Sequence, residues 1–233
     1  MGYILEGFLK ALQLIFSFDK EVFSAVLVSL RVSCTAIIFA TIVGLPLGFY
    51  ISIREFRGKH FIVTVLNTLM ALPTVVVGLT VYSLLSRQGP LGPLSLLHTP
   101  NAMIIGQFIL ATPIVMALTI SATHSVDERV TTTALTLGAN RRQAASTVLL
   151  EARVGLLAAM ITGFGRIIGE VGAAMMLGGN IRGVTRTMST TIALQASMGE
   201  FEIGIALGII LMVIHMLIVA VLMNILFPYS RKR

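Results

Sequence analysis

The chain has 233 residues and a formal net charge of +7; 56% of its residues are hydrophobic and 12% are charged. Soluble domains average about 45–50% apolar and about 25% charged residues, so these fractions exclude an ordinary soluble protein. They indicate an all-α polytopic membrane protein with one membrane domain, and the absence of strand-like alternation excludes a β-barrel.

The predicted elements begin with an amphipathic helix at residues 1–20 that lies on the membrane surface. Its apolar residues recur at helical spacing, and the segment lacks the cleavage site of a signal peptide. Five apolar segments follow, each long enough to cross a bilayer as a helix, since about 20 apolar residues suffice. These segments cover residues 22–53, 61–85, 102–122, 154–177 and 203–227.

The distribution of lysine and arginine predicts the orientation of the five spans. Loops rich in these residues stay in the cytoplasm, and the side with the C-terminus carries twice as many of them as the other side. We therefore predict a multi-pass protein of the cytoplasmic membrane with its N-terminus outside and its C-terminus inside. The membrane domain covers 21–228, and 229–233 form a basic cytoplasmic tail. Because the topology explains the positive net charge, nucleic acid is not an expected partner. Membrane lipid is an expected partner of the five spans.

A polar insert at residues 124–152 separates the third and fourth spans on the predicted cytoplasmic side. Asp127 or Ser125 can cap a helix that begins near Glu128, and Gly138 is placed to end it, because glycine tolerates positive φ. A second helix is predicted from about Arg141. The insert is therefore either a structured helix–glycine–helix unit or a surface loop that carries arginines for topology.

The spacing within the insert favours the structured unit. The insert contains Thr132-Thr133-Ala134, then Gly138 after three residues, then Val148-Leu149-Leu150 after nine more. This spacing resembles the Glu-Ala-Ala loop of ABC-importer permeases. Two departures from the family pattern are Thr132 in place of glutamate and Glu151 in place of proline. The resemblance implies a coupling helix that docks into a separate ATPase subunit. The residues it assigns to coupling are Thr132, Thr133, Ala134, Gly138, Arg141 and Arg142.

A longer stretch extends the resemblance to nearly the whole chain, about residues 22–227. The segment "EARVGLLAAMITGFGRIIGEVGAAMMLGGNIRGVTRTMSTTIAL" resembles the permeases of oxyanion importers for molybdate, sulfate and tungstate, and is most similar to tungstate permeases. This implies the type I ABC importer permease fold and an ATP-driven importer of tungstate, with molybdate and sulfate as the other cargoes. It also implies a homodimer, two cytoplasmic ABC ATPase subunits and an extracytoplasmic oxyanion-binding protein.

The sequence predicts that the chain is not itself an enzyme and holds no cofactor. No stretch matches the phosphate-binding pattern G-x-x-x-x-G-K-[ST], so ATP and magnesium are expected on the partner ATPase. The four histidines have no partner four residues away, and no metal site is expected. The alternative function is an ion-coupled secondary transporter or channel for a small anion, a class that often shows inverted repeats and interrupted helices.

Two groups of polar residues are candidates for the substrate pathway. Arg166 and Glu170 lie four residues apart on one face of the fourth span, either as a gate or as a structural ion pair. After this span, Gly178-Gly179-Asn180 is expected to break the helix. The segment beyond it offers hydroxyl and guanidinium groups, either as an anion-binding vestibule or as helix caps and solvated surface. Its candidate residues are Asn180, Arg182, Arg186, Thr187, Thr190 and Thr191.

Overall fold

The computed structural model describes residues 19–226 and, before them, 5–6, 8–10, 12–13 and 17. Half of the residues of the predicted surface helix at 1–20 and the whole basic tail at 229–233 lie outside the described residues. Regular structure in the described part is entirely helical, as predicted. The ten α-helices are α1 (Lys20–Ile53), α2 (Lys59–Met70), α3 (Thr74–Leu85), α4 (Pro100–His124), α5 (Glu128–Thr136), α6 (Arg141–Glu151), α7 (Arg153–Ile168), α8 (Gly172–Gly178), α9 (Met188–Ser197) and α10 (Phe201–Leu226).

Within the part of the chain that the structure describes, three helices are long and apolar enough to cross a membrane by themselves: α1, α4 and α10. They correspond to the first, third and fifth predicted spans. The side chain of Asp19 caps α1 by accepting from the backbone N–H groups of Glu21 and Val22. Thr99 caps α4 in the same way, and Pro100 occupies its first turn, where a missing N–H costs nothing.

The second and fourth predicted spans are interrupted helices rather than continuous ones. α2 and α3 meet at an angle of 95°, because Pro73 lacks an N–H and disfavours helical geometry in the residue before it. The segment predicted as span four divides into α7 and α8, with residues 169–171 non-helical between them. α7 also meets α6 at an angle of 59°.

α4 is the central helix of the bundle, and α1 runs parallel to it. Gly44 and Gly48 of α1 face α4 so closely that a Cβ on Gly48 would lie 2.7 Å from the carbonyl oxygen of Met116. Small residues allow such close approach between membrane helices. Near one end of this pair Val32 belongs to the same buried cluster as Met103, and near the other end Ile51 joins Ile120.

The two ends of the bundle are called the Lys20 end and the insert end below, after the start of α1 and the insert that follows α4. The α1–α2 turn lies at the insert end and contains Gly58, whose φ is +96°. There Lys59 Nζ donates to the Ser52 carbonyl at 2.9 Å and to Glu55 Oε1 at 2.7 Å. This hydrogen bond holds the pKa of the exposed Glu55 carboxyl below its usual range.

Candidate functional site

The insert is a helix–glycine–helix unit, as predicted. Asp127 caps α5 through a 2.9 Å hydrogen bond from the Arg129 N–H. The helix ends at Thr136, and Gly138 follows with φ of +91°. The Ala139 N–H then donates to the Ala134 carbonyl at 3.0 Å, which closes the end of the helix around the glycine.

A capping box begins the second helix of the insert. The Asn140 side chain accepts from the Gln143 N–H at 2.9 Å, and the Gln143 side chain accepts from the Asn140 N–H at 2.7 Å. Sequence reasoning missed this pair, although Asn followed three residues later by Gln is a recognisable start signal. The box sets the direction of α6, whose first turn carries the exposed Arg141 and Arg142.

The first helix of the insert projects from the bundle rather than packing within it. None of the residues of α5 is buried, and Leu135 and Leu137 expose 45% and 82% of their surface. Of the six predicted coupling residues, five are exposed and Ala134 is half-buried. The structure therefore brings all six together on one exposed unit with an apolar tip, a surface suited to contact with another protein.

The break between α7 and α8 holds the predicted Arg166–Glu170 pair. Arg166 Nη1 lies 3.1 Å from Glu170 Oε2, with the arginine side chain half-exposed and the carboxylate 4% exposed. Glu170 Oε1 also accepts from the Ala173 N–H at 3.2 Å, and the Glu170 carbonyl accepts from Ser189 Oγ at 2.9 Å. The buried carboxylate thus joins the end of α7 to the start of α8, and the backbone carbonyl of Glu170 adds a contact to α9 through Ser189.

Gln107 is a polar residue of the break that sequence reasoning missed. Its Nε2 donates to the Ile167 carbonyl at 3.1 Å, and its Oε1 accepts from Ser33 Oγ at 3.1 Å. The Glu170 N–H donates to the same Ile167 carbonyl. Gln107 is 2% exposed, and a lone glutamine within the apolar third span was the available signal. These bonds satisfy polar groups that a break within a membrane leaves without helix partners.

The predicted helix break at Gly178-Gly179-Asn180 is present. Gly179 has φ of +70° and Asn180 has φ of +51°, so the chain turns through left-handed geometry that favours these residue types. Thr185 Oγ1 donates to the Gly178 carbonyl at 2.5 Å and accepts from the Ile181 N–H at 2.9 Å. The buried Thr185, which sequence reasoning did not select, therefore closes the loop.

The three predicted pathway threonines lie at the start of α9. Thr187 and Thr190 are buried and form a capping box with each other, while Thr190 Oγ1 also donates to Asn180 Oδ1 at 2.9 Å. Thr191 Oγ1 donates to the Thr187 carbonyl at 2.6 Å. These hydrogen bonds favour the capping alternative for the three hydroxyls over direct contact with an anion.

The two predicted arginines of this segment lie at the Lys20 end of the bundle. Arg182 forms an ion pair with Glu21 of α1. Arg186 Nη2 lies 3.4 Å from the Asn180 carbonyl, and its buried Nε has no hydrogen-bond partner. Both arginines line a cavity of ≈ 280 Å³ together with Lys20 and Glu21. With three cations and one carboxylate, this cavity is suited to anions.

Comparison with known proteins identifies the family to which this architecture belongs. Residues 34–233 match the model of a family described as the binding-protein-dependent transport system inner membrane component. The chain belongs to this family. It is thus a multi-pass membrane permease component of an ABC transporter. This confirms the family that was predicted from the resemblance in the sequence.

Relatives extend over most of the permease. It is 43% identical over 222 residues to the tungstate uptake system permease protein TupB of Peptoclostridium acidaminophilum, covering 95% of this chain and 97% of the relative. TupB of Campylobacter jejuni is 41% identical over 92% of this chain and 90% of its own length. A probable anion ABC transporter permease protein of Haloferax volcanii is 42% identical over 79% of this chain and 82% of its own.

A solved structure supports the fold. A chain of the MetNI methionine ABC transporter aligns with a TM-score of 0.73 at 16% identity, covering 92% of this permease and 99% of that chain. The type I ABC importer permease fold, predicted from the resemblance, is therefore confirmed, with two of its predicted spans broken as described above.

Proposed function

We propose that the permease forms the membrane pathway of an ATP-driven importer for a tetrahedral oxyanion, with tungstate as the cargo and molybdate or sulfate as the alternatives. Two copies form a homodimer with the pathway between them. Two cytoplasmic ABC ATPase subunits bind the insert end, and an extracytoplasmic oxyanion-binding protein delivers cargo at the Lys20 end. ATP and magnesium bind to the ATPase, and this chain catalyses no covalent step.

The observation that carries this proposal is the 41–43% identity to two tungstate uptake permeases over more than nine-tenths of the chain. The exposed helix–glycine–helix insert adds the mechanical element that an externally driven permease requires. An ATPase that closes around nucleotide can displace α5 and so shift the bundle between two states of access.

The proposed orientation follows from the parallel arrangement of α1 and α4. Both helices run from the Lys20 end to the insert end, so the α1–α2 turn and the insert share one side. That side carries the excess of lysine and arginine that is expected of cytoplasmic loops. These residues are Arg54, Arg57, Lys59, Arg129, Arg141 and Arg142. The N-terminus is then outside, and the cationic cavity at the Lys20 end faces incoming anions.

Charge at the Lys20 end supports an anionic cargo. Among the described residues, this end has one cavity lined by the cations Arg182, Arg186 and Lys20, with Glu21 as the only carboxylate. Deeper in the bundle, Arg166 remains half-exposed beside the buried Glu170. An anion that enters past the first group can replace the interaction of Arg166 with Glu170, and this exchange would couple passage to movement at the break between α7 and α8.

Uptake by proteoliposomes tests the function. The permease is reconstituted with its ATPase, and the binding protein is supplied outside with tungstate, molybdate or sulfate. We expect uptake of tungstate that requires both ATP and the binding protein. Anion flux through the permease alone, without nucleotide, would instead support the secondary transporter or channel.

A further inference from the structure

Arg31 is a cation of α1 that the pathway proposed above does not include. It is exposed, lies 11 residues beyond Lys20, and so sits about 16 Å further along the helix axis. Within the described residues its side chain forms no ion pair or hydrogen bond with another residue. An unpaired arginine at membrane depth costs about 2.5–3.5 kcal/mol on insertion scales, so an anion from outside this protomer is expected to contact it.

A groove on the same face of α1 surrounds this arginine. It has a volume of ≈ 470 Å³ and is lined by Lys20 and Arg31 together with the apolar side chains of Phe23, Leu27 and Val28. Side chains on a helix tilt toward its N-terminus. Arg31 therefore reaches back toward the Lys20 end, where it and Lys20 line one groove and give it positive potential while the apolar residues remain beside it.

Within the apolar segments, a second copy of this chain offers no free carboxylate for this position. Among the residues of the five apolar segments, Glu170 is the one carboxylate. That carboxylate is 4% exposed and already paired with Arg166. Near the start of α1, Asp19 caps the helix and Glu21 pairs with Arg182. At the Lys20 end, the exposed Glu200 and Glu202 at the start of α10 are the carboxylates that a second copy could offer, and the effect of Arg31→Gln on the dimer tests them below.

We propose that this groove is a binding site for an anionic phospholipid in the leaflet at the Lys20 end. The phosphate group would lie between Lys20 and Arg31, and an acyl chain would lie along Phe23 and Leu27, which expose 40% and 66% of their surface. The long Arg31 side chain would extend toward the headgroup region, as cationic side chains of membrane helices do. A freely soluble oxyanion carries a similar tetrahedral charge but has no apolar part that could contact Phe23 and Leu27.

The site is tested by native mass spectrometry of the purified permease from micelles that contain equal amounts of phosphatidylglycerol and phosphatidylcholine. We expect the first retained lipid to be preferentially phosphatidylglycerol. Each of Arg31→Gln and Lys20→Gln should reduce this preference about fivefold, the equivalent of about 1 kcal/mol per cation near a membrane surface. Arg31→Lys should preserve it. Arg57→Gln, a matched change at the insert end, should leave it unchanged.

Three outcomes would overturn the proposal. The first is an unchanged lipid preference in folded Arg31→Gln and Lys20→Gln proteins. The second is displacement of phosphatidylglycerol by millimolar tungstate or inorganic phosphate, which would assign the groove to a soluble oxyanion. The third is loss of the dimer in Arg31→Gln without any change in the lipid ratio, which would assign it to subunit contact. None of these outcomes depends on which anion the permease transports.

Discussion

Arg166 and Glu170 form an ion pair across the end of α7, with 3.1 Å between Nη1 and Oε2. The pair is asymmetric, because the guanidinium is half-exposed while the carboxylate is 4% exposed. Glu170 also receives the Ala173 N–H and so caps the start of α8. A single carboxylate therefore neutralises the arginine and stabilises the helix break.

Removing Arg166 should destabilise the protein more than removing both charges. Arg166→Met leaves the buried carboxylate with only the Ala173 N–H, at a cost of about 1–3 kcal/mol in the free energy of unfolding. Arg166→Met/Glu170→Gln should recover most of this loss, as measured by thermal unfolding in detergent. Equal stability of the single and double variants would contradict the pairing. Uptake by the double variant then decides the role: lost uptake indicates a gate, and retained uptake a structural pair.

Gly138→Val should separate ATP hydrolysis from uptake. With φ of +91° and no atom within 4 Å of a new Cβ, valine introduces backbone strain without a clash, of about 1–3 kcal/mol. We expect α5 to shift and uptake to be lost, while the reconstituted complex still hydrolyses ATP.

Gly58→Val is the matched control for this change. Gly58 has φ of +96°, also has no atom within 4 Å of a new Cβ, and lies at the same end of the bundle. Its substitution should leave uptake coupled to hydrolysis. If both variants transported normally, or if both lost uptake equally, the specific role of Gly138 in coupling would be refuted.

Gln107 should be required for the geometry of the break between α7 and α8. Gln107→Leu leaves the hydroxyl of Ser33, which is 1% exposed, without its acceptor, and should cost about 1–3 kcal/mol in the free energy of unfolding. Adding Ser33→Ala should return part of that stability, because the unsatisfied hydroxyl is then absent. Additive losses in the double variant would show that the two side chains do not interact.

Arg186 should accelerate uptake through its charge. Arg186→Gln should slow uptake more at low ionic strength than at high, because the Debye length falls from about 30 Å at 0.01 M to about 10 Å at 0.1 M. Glu55→Gln/Lys59→Gln removes an ion pair at the insert end without changing net charge and serves as the control, with uptake nearly unchanged. A loss in Arg186→Gln that is independent of salt would indicate a structural defect instead of steering.

The sequence predicted the long helices well because their signals are local. Asp19 begins α1, and Thr99 with Pro100 begins α4; apolar composition supplies the rest. The breaks could not be predicted from the same composition. Hydropathy shows that residues 61–85 and 154–177 are apolar, but it gives no information on where the helix axis bends. Pro73 marked the first break, whereas residues 169–171 contain no comparable signal.

The candidate site was predictable where it is local and not where it depends on distant segments. The insert and the Arg166–Glu170 pair depend on residues a few positions apart, and both were anticipated. Gln107 bonds to Ile167, 60 residues away, and to Ser33, 74 residues away, while Arg182 pairs with Glu21. Such pairs follow from helix packing, which one sequence does not reveal.

Cross-linking at Thr133 tests the central claim most directly, namely that a cytoplasmic partner drives the permease through α5. Cys34 is the single cysteine, so Cys34→Ala/Thr133→Cys carries one thiol, on an exposed helix of the insert. We predict that it cross-links to the ATPase in membranes and resists impermeant thiol reagents added outside intact cells. Labelling from outside, or efficient transport by a complex in which no ATPase cross-link forms, would contradict the account.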